Sequence, residues 1–511
     1  MSYSRTKKAT LSVATAAILQ FVSIFFGIIT PKIMIGEYGS NIYGTLSSIA
    51  QFLSYISLLE GGVGAVARSA LYKSLAKNDT DKINRTYFEI KRFAFCIASI
   101  FAAYTIFLAC TYKYIANIDF IDWLTTFLLV CIISVSTLAQ YFIGFSDQIL
   151  IQADQRNYIV NIVNIFSIVL NTSITITCVL LHVNVIILKL CSGVVFVLKP
   201  ILVHLYIKRK FSIQKVSKID EIILKDKWVG LGQHVAFFLH SNTDIVVLTL
   251  FTDMKTVAIY SVYYLIFSSI TKLISILSNG MEALFGNMYA KGENETLLKT
   301  VNFYDTLISF VATLVFSVAI ILIIPFIRLY TAGITDANYI QPTFAALLLF
   351  GEFINCIRTP YHNLIIAAGK FKETQLAAYL EAFLNISLSC LFVIKWGLIG
   401  VAIATLISFA FRYVYYAIYI SKDIFKNFFF SFMKRIVTTT LSIVLIFMIG
   451  SAVLLNLSTS TYAMWCIAGF VEVGIALTVL LIVGFVFYRK DYTSILNKAL
   501  KRLNKKSTSN N

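Results

Sequence analysis

Hydrophobic positions fall in about fourteen long blocks, near residues 9–30, 42–66, 90–110, 122–144, 158–181, 184–206, 229–251, 256–280, 302–325, 341–366, 375–394, 397–420, 432–455 and 462–487. Each is roughly 20 residues, the length an α-helix needs to cross a bilayer core. The intervening segments alternate between basic and nearly uncharged. The pattern predicts an all-α polytopic membrane protein of about 14 transmembrane helices with almost nothing outside the membrane. The outward-side loops are short, the longest being about Phe326 to Ile340, and no loop is long enough to fold as a domain.

The alternation of charge orients the chain. Only five of the 43 Lys and Arg lie in loops on the side away from the N-terminus: Lys32, Lys113, Lys255, Arg328 and Lys395. Basic loops face the cytoplasm, so both termini are expected there, in a bacterial cytoplasmic (inner) membrane. Hydrophobic residues make up 58% of the chain and charged ones 13%, which excludes a soluble globular domain. The net charge of +18 follows the cytoplasmic loops and tails, so it points to anionic lipid rather than nucleic acid. The block at 9–30 is too long for a cleaved signal and is expected as an uncleaved first helix. None of the eight cysteines forms a CxxC pair, so no metal or disulfide framework is indicated, and no cofactor is expected.

A short repeat suggests duplication. Leu170-Asn171-Thr172-Ser173-Ile174 in the fifth span matches Leu384-Asn385-Ile386-Ser387-Leu388 in the eleventh, and Tyr43-Gly44 corresponds to Tyr260-Ser261. Six helices separate the copies, so both halves keep one orientation, as in transporters with parallel repeats. The expected organisation is an N-terminal lobe of six helices at 1–206, an inter-lobe cytoplasmic loop at 207–228 and a pseudo-symmetric lobe at 229–421. Two extra helices follow at 422–487, then a basic tail at 488–511.

Charged residues within the spans carry the chemistry, because each costs several kcal/mol in hydrocarbon unless it is paired or faces a cavity. At about 1.5 Å per residue, Lys199, Lys272, Arg358 and Arg412 lie about 21–25 Å in from the outer side, towards the cytoplasm. Arg68 lies at the inner boundary. Long basic side chains at such depth either snorkel to the headgroups or line an inward-facing vestibule. For Arg358, Arg412 and Lys272 the vestibule is the favoured reading, and it suits a phosphate-bearing ligand held by charge-assisted hydrogen bonds. The acids are fewer. Glu352 and Glu472 fall near the midplane, Asp244 in the outer third, Glu60 and Glu381 further in; each is either an ion site or half of an ion pair. Asp244, Glu381, Asn385 and Thr405 form the best constellation of hard oxygen ligands for Na⁺ or a proton, with Glu381 and Asn385 four apart on one helix face.

Several stretches resemble the Wzx-type polysaccharide flippases. These are Gly36-Glu37-Tyr38-Gly39 through Tyr43-Gly44, Leu58-Leu59-Glu60-Gly61-Gly62, and Ser241 to Leu248 leading to Ala258-Ile259-Tyr260-Ser261. They continue in Arg358-Thr359-Pro360, Ala367 to Thr374, Glu381-Ala382 with Leu384-Asn385, and Gly397 to Ala402. The resemblance covers the first twelve spans. It implies the multidrug/oligosaccharidyl-lipid/polysaccharide exporter superfamily, two six-helix lobes around a cavity, and alternating access. Lipid II flippases of that superfamily are similar in having fourteen helices and a Na⁺ site between helices 7, 11 and 12, which Asp244, Glu381, Asn385, Val401 and Thr405 match in position. The arginine cluster of their first helix is absent, since Leu11 to Thr30 carries no charge.

The expected function is therefore non-enzymatic: ion-coupled flipping of an undecaprenyl-pyrophosphate-linked oligosaccharide repeat unit by a monomer that works beside polysaccharide polymerase machinery. The substrate-binding set is Arg358, Lys272, Arg412, Arg68 and Lys199; the coupling set is Asp244, Glu381, Asn385, Thr405 and Glu352. A multidrug/cation antiporter and a lipid II flippase are the alternatives.

Overall fold

The computed structural model describes residues 5–487 apart from 62, 212, 215–230, 279, 371 and 427. Most of the expected inter-lobe loop, 207–228, and all of the tail, 488–511, lie outside the described residues. Every regular element within them is helical: α1 (Arg5–Ser54), α2 (Val63–Ala76), α3 (Thr80–Ile115), α4 (Trp123–Ala139), α5 (Phe145–Ala153), α6 (Asn157–Leu180), α7 (Val185–Lys210), α8 (Leu231–Phe251), α9 (Met254–Ser275), α10 (Met281–Ala290), α11 (Asn294–Tyr330), α12 (Pro342–Ile357), α13 (Thr359–Ala367), α14 (Gln375–Asp423), α15 (Phe428–Leu454) and α16 (Tyr462–Phe487).

All fourteen predicted spans fall on helix. Eleven helical stretches are individually long and apolar enough to cross a membrane. The number is below fourteen because α1 and α14 each run two spans together and span 10 is divided between α12 and α13. The joins in α1 and α14 are single glycines, Gly39 (φ 80°, ψ 166°) and Gly397 (φ 52°, ψ −125°). A residue with a Cβ rarely adopts such a conformation, so one glycine here does what a loop does elsewhere. The protein is a multi-pass, all-α membrane protein. Large apolar side chains such as Phe21, Phe107, Leu180 and Phe470 are exposed on helix surfaces, where lipid replaces water as the solvent.

Helices extend past the membrane. The 36 residues of α3 span about 54 Å, well beyond a core of about 30 Å. The segments 67–89 and 281–301, read as inner loops from their polarity, are instead helical up to tight turns. Asn78 (φ 52°) turns α2 into α3, and Gly292 (φ 71°) turns α10 into α11. Lys, Arg and Glu are good helix formers in water, so loss of hydrophobicity marks the membrane boundary and not the helix end. Asp79 then caps α3, its carboxylate accepting from the Lys82 N–H at 3.0 Å.

Departures from regular helix recur six spans apart. A 3₁₀ turn at Tyr55–Leu59 interrupts span 2, and another at Ile276–Ser278 interrupts span 8. A π turn at Gln140–Gly144 interrupts span 4, and a break at Arg358 interrupts span 10.

The chain forms two compact units: Met1–Leu265 with Gly333–Ala337 and Val393–Leu398, and Ile266–Ala332 with Asn338–Phe392 and Ile399–Asn511. In the first, α6 packs on α1 and α7, and α4 packs on α3 and α7. In the second, α11 is central, touching α12, α13, α15 and α16. Spans 13 and 14 are fastened to it by an apolar cluster of Ile321, Ile446, Ala476, Val479, Leu480 and Val483. The Trp465 indole also donates to the Leu322 carbonyl at 3.1 Å. Glu472 of α16 is fully buried, its carboxylate lying where a Cβ on Gly450 would stand.

Gly44 marks the tightest packing in the first unit. A Cβ there would overlap the Met254 carbonyl at the start of α9, and backbone cannot swing aside. Gly44→Ala is expected to destabilise the protein by about 1–3 kcal/mol, the usual cost of overpacking. A lowered unfolding midpoint in detergent checks this; an unchanged midpoint would show that the two helices can part there.

Candidate functional site

Span 10 breaks where it does because of Thr359-Pro360. Proline has no N–H and its ring clashes with the preceding turn, so α12 stops at Ile357 and α13 restarts with Pro360 in its first turn. Arg358 sits at the interruption. Its guanidinium reaches α14, where Nη1 pairs with Glu381 Oε1. The other carboxylate oxygen of Glu381 lies 3.5 Å from Nη1 of Arg412, further along α14. One acid thus faces two guanidinium groups.

The network continues on both sides. Arg358 Nε donates to Asn355 Oδ1 at 3.2 Å, and Asn355 Nδ2 donates to Glu352 Oε2 at 3.2 Å. Glu352 Oε2 also accepts from the Thr271 hydroxyl at 3.0 Å. Arg412 Nη2 donates to the Tyr416 hydroxyl at 2.8 Å, which lies 3.0 Å from His362 Nδ1. Phe409 lies 4.8 Å beneath the Arg358 guanidinium, and the Tyr416 ring 4.7 Å from that of Arg412. Arg358 and Glu381 retain 13% and 9% side-chain exposure, against 5% for Arg412. Buried charge of this kind is tolerable only when paired and hydrogen-bonded. Even so, Nε and Nη1 of the buried Arg412 make no hydrogen bond among the described residues.

The predicted residues distribute as follows. Arg358, Arg412 and Glu381 are brought together; Glu352 joins them through Asn355. Asn385, one turn beyond Glu381, is fully buried and donates to Thr405 Oγ1 at 3.1 Å. Lys272 is exposed on α9 and outside the network. In the first unit, Arg68 Nη1 donates to Gln152 Oε1 at 3.1 Å, and Lys199 is half-buried on α7. Asp244 lies in the first unit too, buried and accepting from the Tyr260 hydroxyl at 2.7 Å. No group of three or more His, Cys, Asp or Glu among the described residues is arranged to hold a metal.

On the same helix as Asp244, Asn242 and Thr249 meet a seam on one face of α1. Ser40, Gly44, Ser48 and Gln51 recur at helical spacing. The Ser40 N–H and hydroxyl donate to Asp336 at 2.7 and 2.8 Å, Gly44 meets the Met254 backbone, and the Ser48 hydroxyl lies 2.6 Å from that of Thr249. Gln51 donates to Asn242 Oδ1 at 2.9 Å. The hydrogen bonds among these contacts are individually modest.

Sequence reasoning passed over two buried carboxylates. Asp147 accepts from the Tyr87 hydroxyl at 2.6 Å and lies 2.8 Å from His204 Nδ1. Asp305 accepts from the Tyr361 hydroxyl at 3.1 Å and pairs with Arg435 at 2.8 Å. Each ties its unit together near the predicted inner side, with acid and tyrosine exchanging helices between the two halves. His362 and Tyr416 were legible in principle, lying four residues beyond Arg358 and Arg412 on the same helix faces.

Among solved structures, the chain is similar to the lipid II flippase MurJ in an inward closed conformation, with a TM-score of 0.70 at 16% identity over 93% of this chain and 98% of that one. The chain shares its fold with this flippase and with two multidrug transporters. The MATE multidrug transporter DinF-BH matches with a TM-score of 0.58 at 17% identity, over 83% of this chain and 96% of that one. An inward-facing multidrug resistance MATE family transporter of the MOP superfamily gives 0.55 at 15%, over 80% and 98%. No family model matches the sequence, and no curated protein does. Within this fold the network at Arg358 offers two guanidinium groups, one carboxylate between them and two aromatic rings.

Proposed function

We propose that the chain is a flippase for undecaprenyl-pyrophosphate-linked oligosaccharide repeat units, working by ion-coupled alternating access in the bacterial cytoplasmic membrane with both termini cytoplasmic. The observation that carries this reading is the buried pair Arg358 and Arg412, whose donors converge on one anion with Arg412 donors to spare. Guanidinium forks match phosphate oxygens, which a pyrophosphate headgroup supplies. Lys272, Arg68 and Lys199 would attract the headgroup along the inner approach, and Na⁺ or a proton would act at Asp244, Glu381, Asn385, Thr405 and Glu352. The protein would act as a monomer in the bilayer, handing its product to polysaccharide polymerase machinery.

The coverage of the structural likenesses favours a lipid-linked substrate over a soluble drug. The lipid II flippase matches 93% of this chain, whereas the two multidrug transporters match 83% and 80%. Lipid II itself is the second reading; the uncharged first span, Leu11 to Thr30, argues for a different lipid-linked glycan. Deletion of the gene should block surface polysaccharide and strand the lipid-linked unit on the cytoplasmic side. Normal polysaccharide with altered drug resistance would point to the antiporter, and arrested peptidoglycan synthesis to lipid II.

A further inference from the structure

We propose that Glu381 is the protein's own substitute for the substrate's phosphate. It would occupy the anion slot between Arg358 and Arg412 in the empty transporter, give way when the headgroup enters, and displace it again for release.

Three observations converge on this. The Glu381 carboxylate presents one oxygen to each guanidinium, as a bridging phosphate would. Carboxylate and phosphate are the two anions that a guanidinium fork fits best. Second, the slot is not fully satisfied by the acid it holds: among the described residues Arg412 Nε makes no hydrogen bond and Nη1 has only its 3.5 Å ion pair with Glu381, although the residue is 4% exposed. A buried guanidinium so short of acceptors suits an anion with more acceptor oxygens than one carboxylate has. Third, the two arginines are held from behind by groups that need not move. Asn355 takes Nε of Arg358, Tyr416 takes Nη2 of Arg412, and the Phe409 and Tyr416 rings lie against the two guanidinium groups. Among the described residues Glu381 is the partner shared by both guanidinium groups, so its departure opens both while their other contacts keep them oriented.

An exchangeable internal acid also solves a release problem. Two buried arginines with no counter-ion would hold a pyrophosphate too tightly to let it go, and an empty pair would be costly to keep. With Glu381 present, apparent affinity is the intrinsic affinity reduced by the fraction of time the slot stands open.

The proposal rests on the phosphate reading of this site, and the experiment separates the two. Binding of inorganic pyrophosphate to the purified full-length protein in lipid nanodiscs is measured by calorimetry at pH 8. Glu381→Gln should bind about tenfold more tightly than wild type, because the competitor is removed; Arg358→Ala should bind far more weakly. If Glu381→Gln binds no better while Arg358→Ala still loses binding, the exchange is overturned and the phosphate site stands. If pyrophosphate binds neither wild type nor Glu381→Gln, the phosphate reading falls with it. Should Glu381→Gln fail to fold, Glu381→Ala is read in the same assay at pH 8: tighter pyrophosphate binding than wild type supports the exchange, and unchanged or weaker binding overturns it.

Discussion

Arg358→Ala is expected to abolish export of the proposed lipid-linked repeat unit while the protein still inserts in the membrane. Arg358 makes three contacts at once: the ion pair with Glu381, the hydrogen bond to Asn355 and the stack on Phe409. Truncation removes the donor fork and takes from Glu381 its ion pair with Arg358. Loss of one partner of a desolvated charge pair commonly costs about 2–5 kcal/mol in binding, enough for about a hundredfold or greater fall in transport. Arg358→Lys should recover only part of this, because an ammonium cannot form two parallel hydrogen bonds. The double variant Arg358→Ala/Glu381→Gln separates stability from function. Removing both charges relieves the loss of the Arg358–Glu381 pair, so thermal stability should return towards wild type while export stays absent. Surface polysaccharide in a complemented deletion strain, with membrane abundance measured alongside, provides the readout. Wild-type export by Arg358→Ala at matched abundance would remove this residue from the mechanism.

The second large effect is expected at Asp244. In vesicles reconstituted with the protein, Asp244→Asn should remove the response of flipping to an imposed Na⁺ or proton gradient, leaving slow downhill exchange. Directional flipping needs an energy source, and each charge moved through the membrane potential is worth about 2.3 kcal/mol per 100 mV. Asp244 is buried, bonded to Tyr260, and one helical turn or less from Asn242 and Thr243. It lies beside the seam through which α1 touches α8 and α9, so an ion there can bias whether the seam is closed or open. Asparagine keeps the size and a hydrogen-bond acceptor and removes the charge. Unchanged gradient dependence in both Asp244→Asn and Glu381→Gln would move the coupling site elsewhere, with Glu352, held by Thr271 and Asn355, next to be tested.

The two expectations differ in how legible they were. Arg358 stood out because a cation followed by Thr-Pro in an apolar block is costly and interrupts its helix, and both facts are local. That Glu381 would lie between Arg358 and Arg412 was not legible. Sequence reasoning grouped Glu381 with Asn385 because they are four apart on one helix, yet the two side chains take different partners, the arginines in one case and Thr405 in the other. A shared face fixes direction only to within a wide arc, and neighbouring helices decide what each side chain meets.

By itself the sequence determined the class, the number of spans and the alternation of their flanking charges, because the hydrocarbon core admits only long apolar helices with their backbones satisfied internally. It did not determine where helices break: Gly39, Pro360 and Gly397 interrupt theirs, yet Pro31, Pro200 and Pro325 lie inside continuous helices, so a breaker residue alone does not place a break. Helix ends beyond the membrane, as at Asn78 and Gly292, were not legible from hydrophobicity, which falls at the lipid boundary while the helix continues into water. Only the tertiary structure decided the pairings: Glu381 with two arginines, Asp147 with Tyr87 and His204, Asp305 with Tyr361 and Arg435. Ion pairs and hydrogen bonds act over about 3 Å. Which helices come that close is set by how all of them pack, and no segment of the chain contains that information alone.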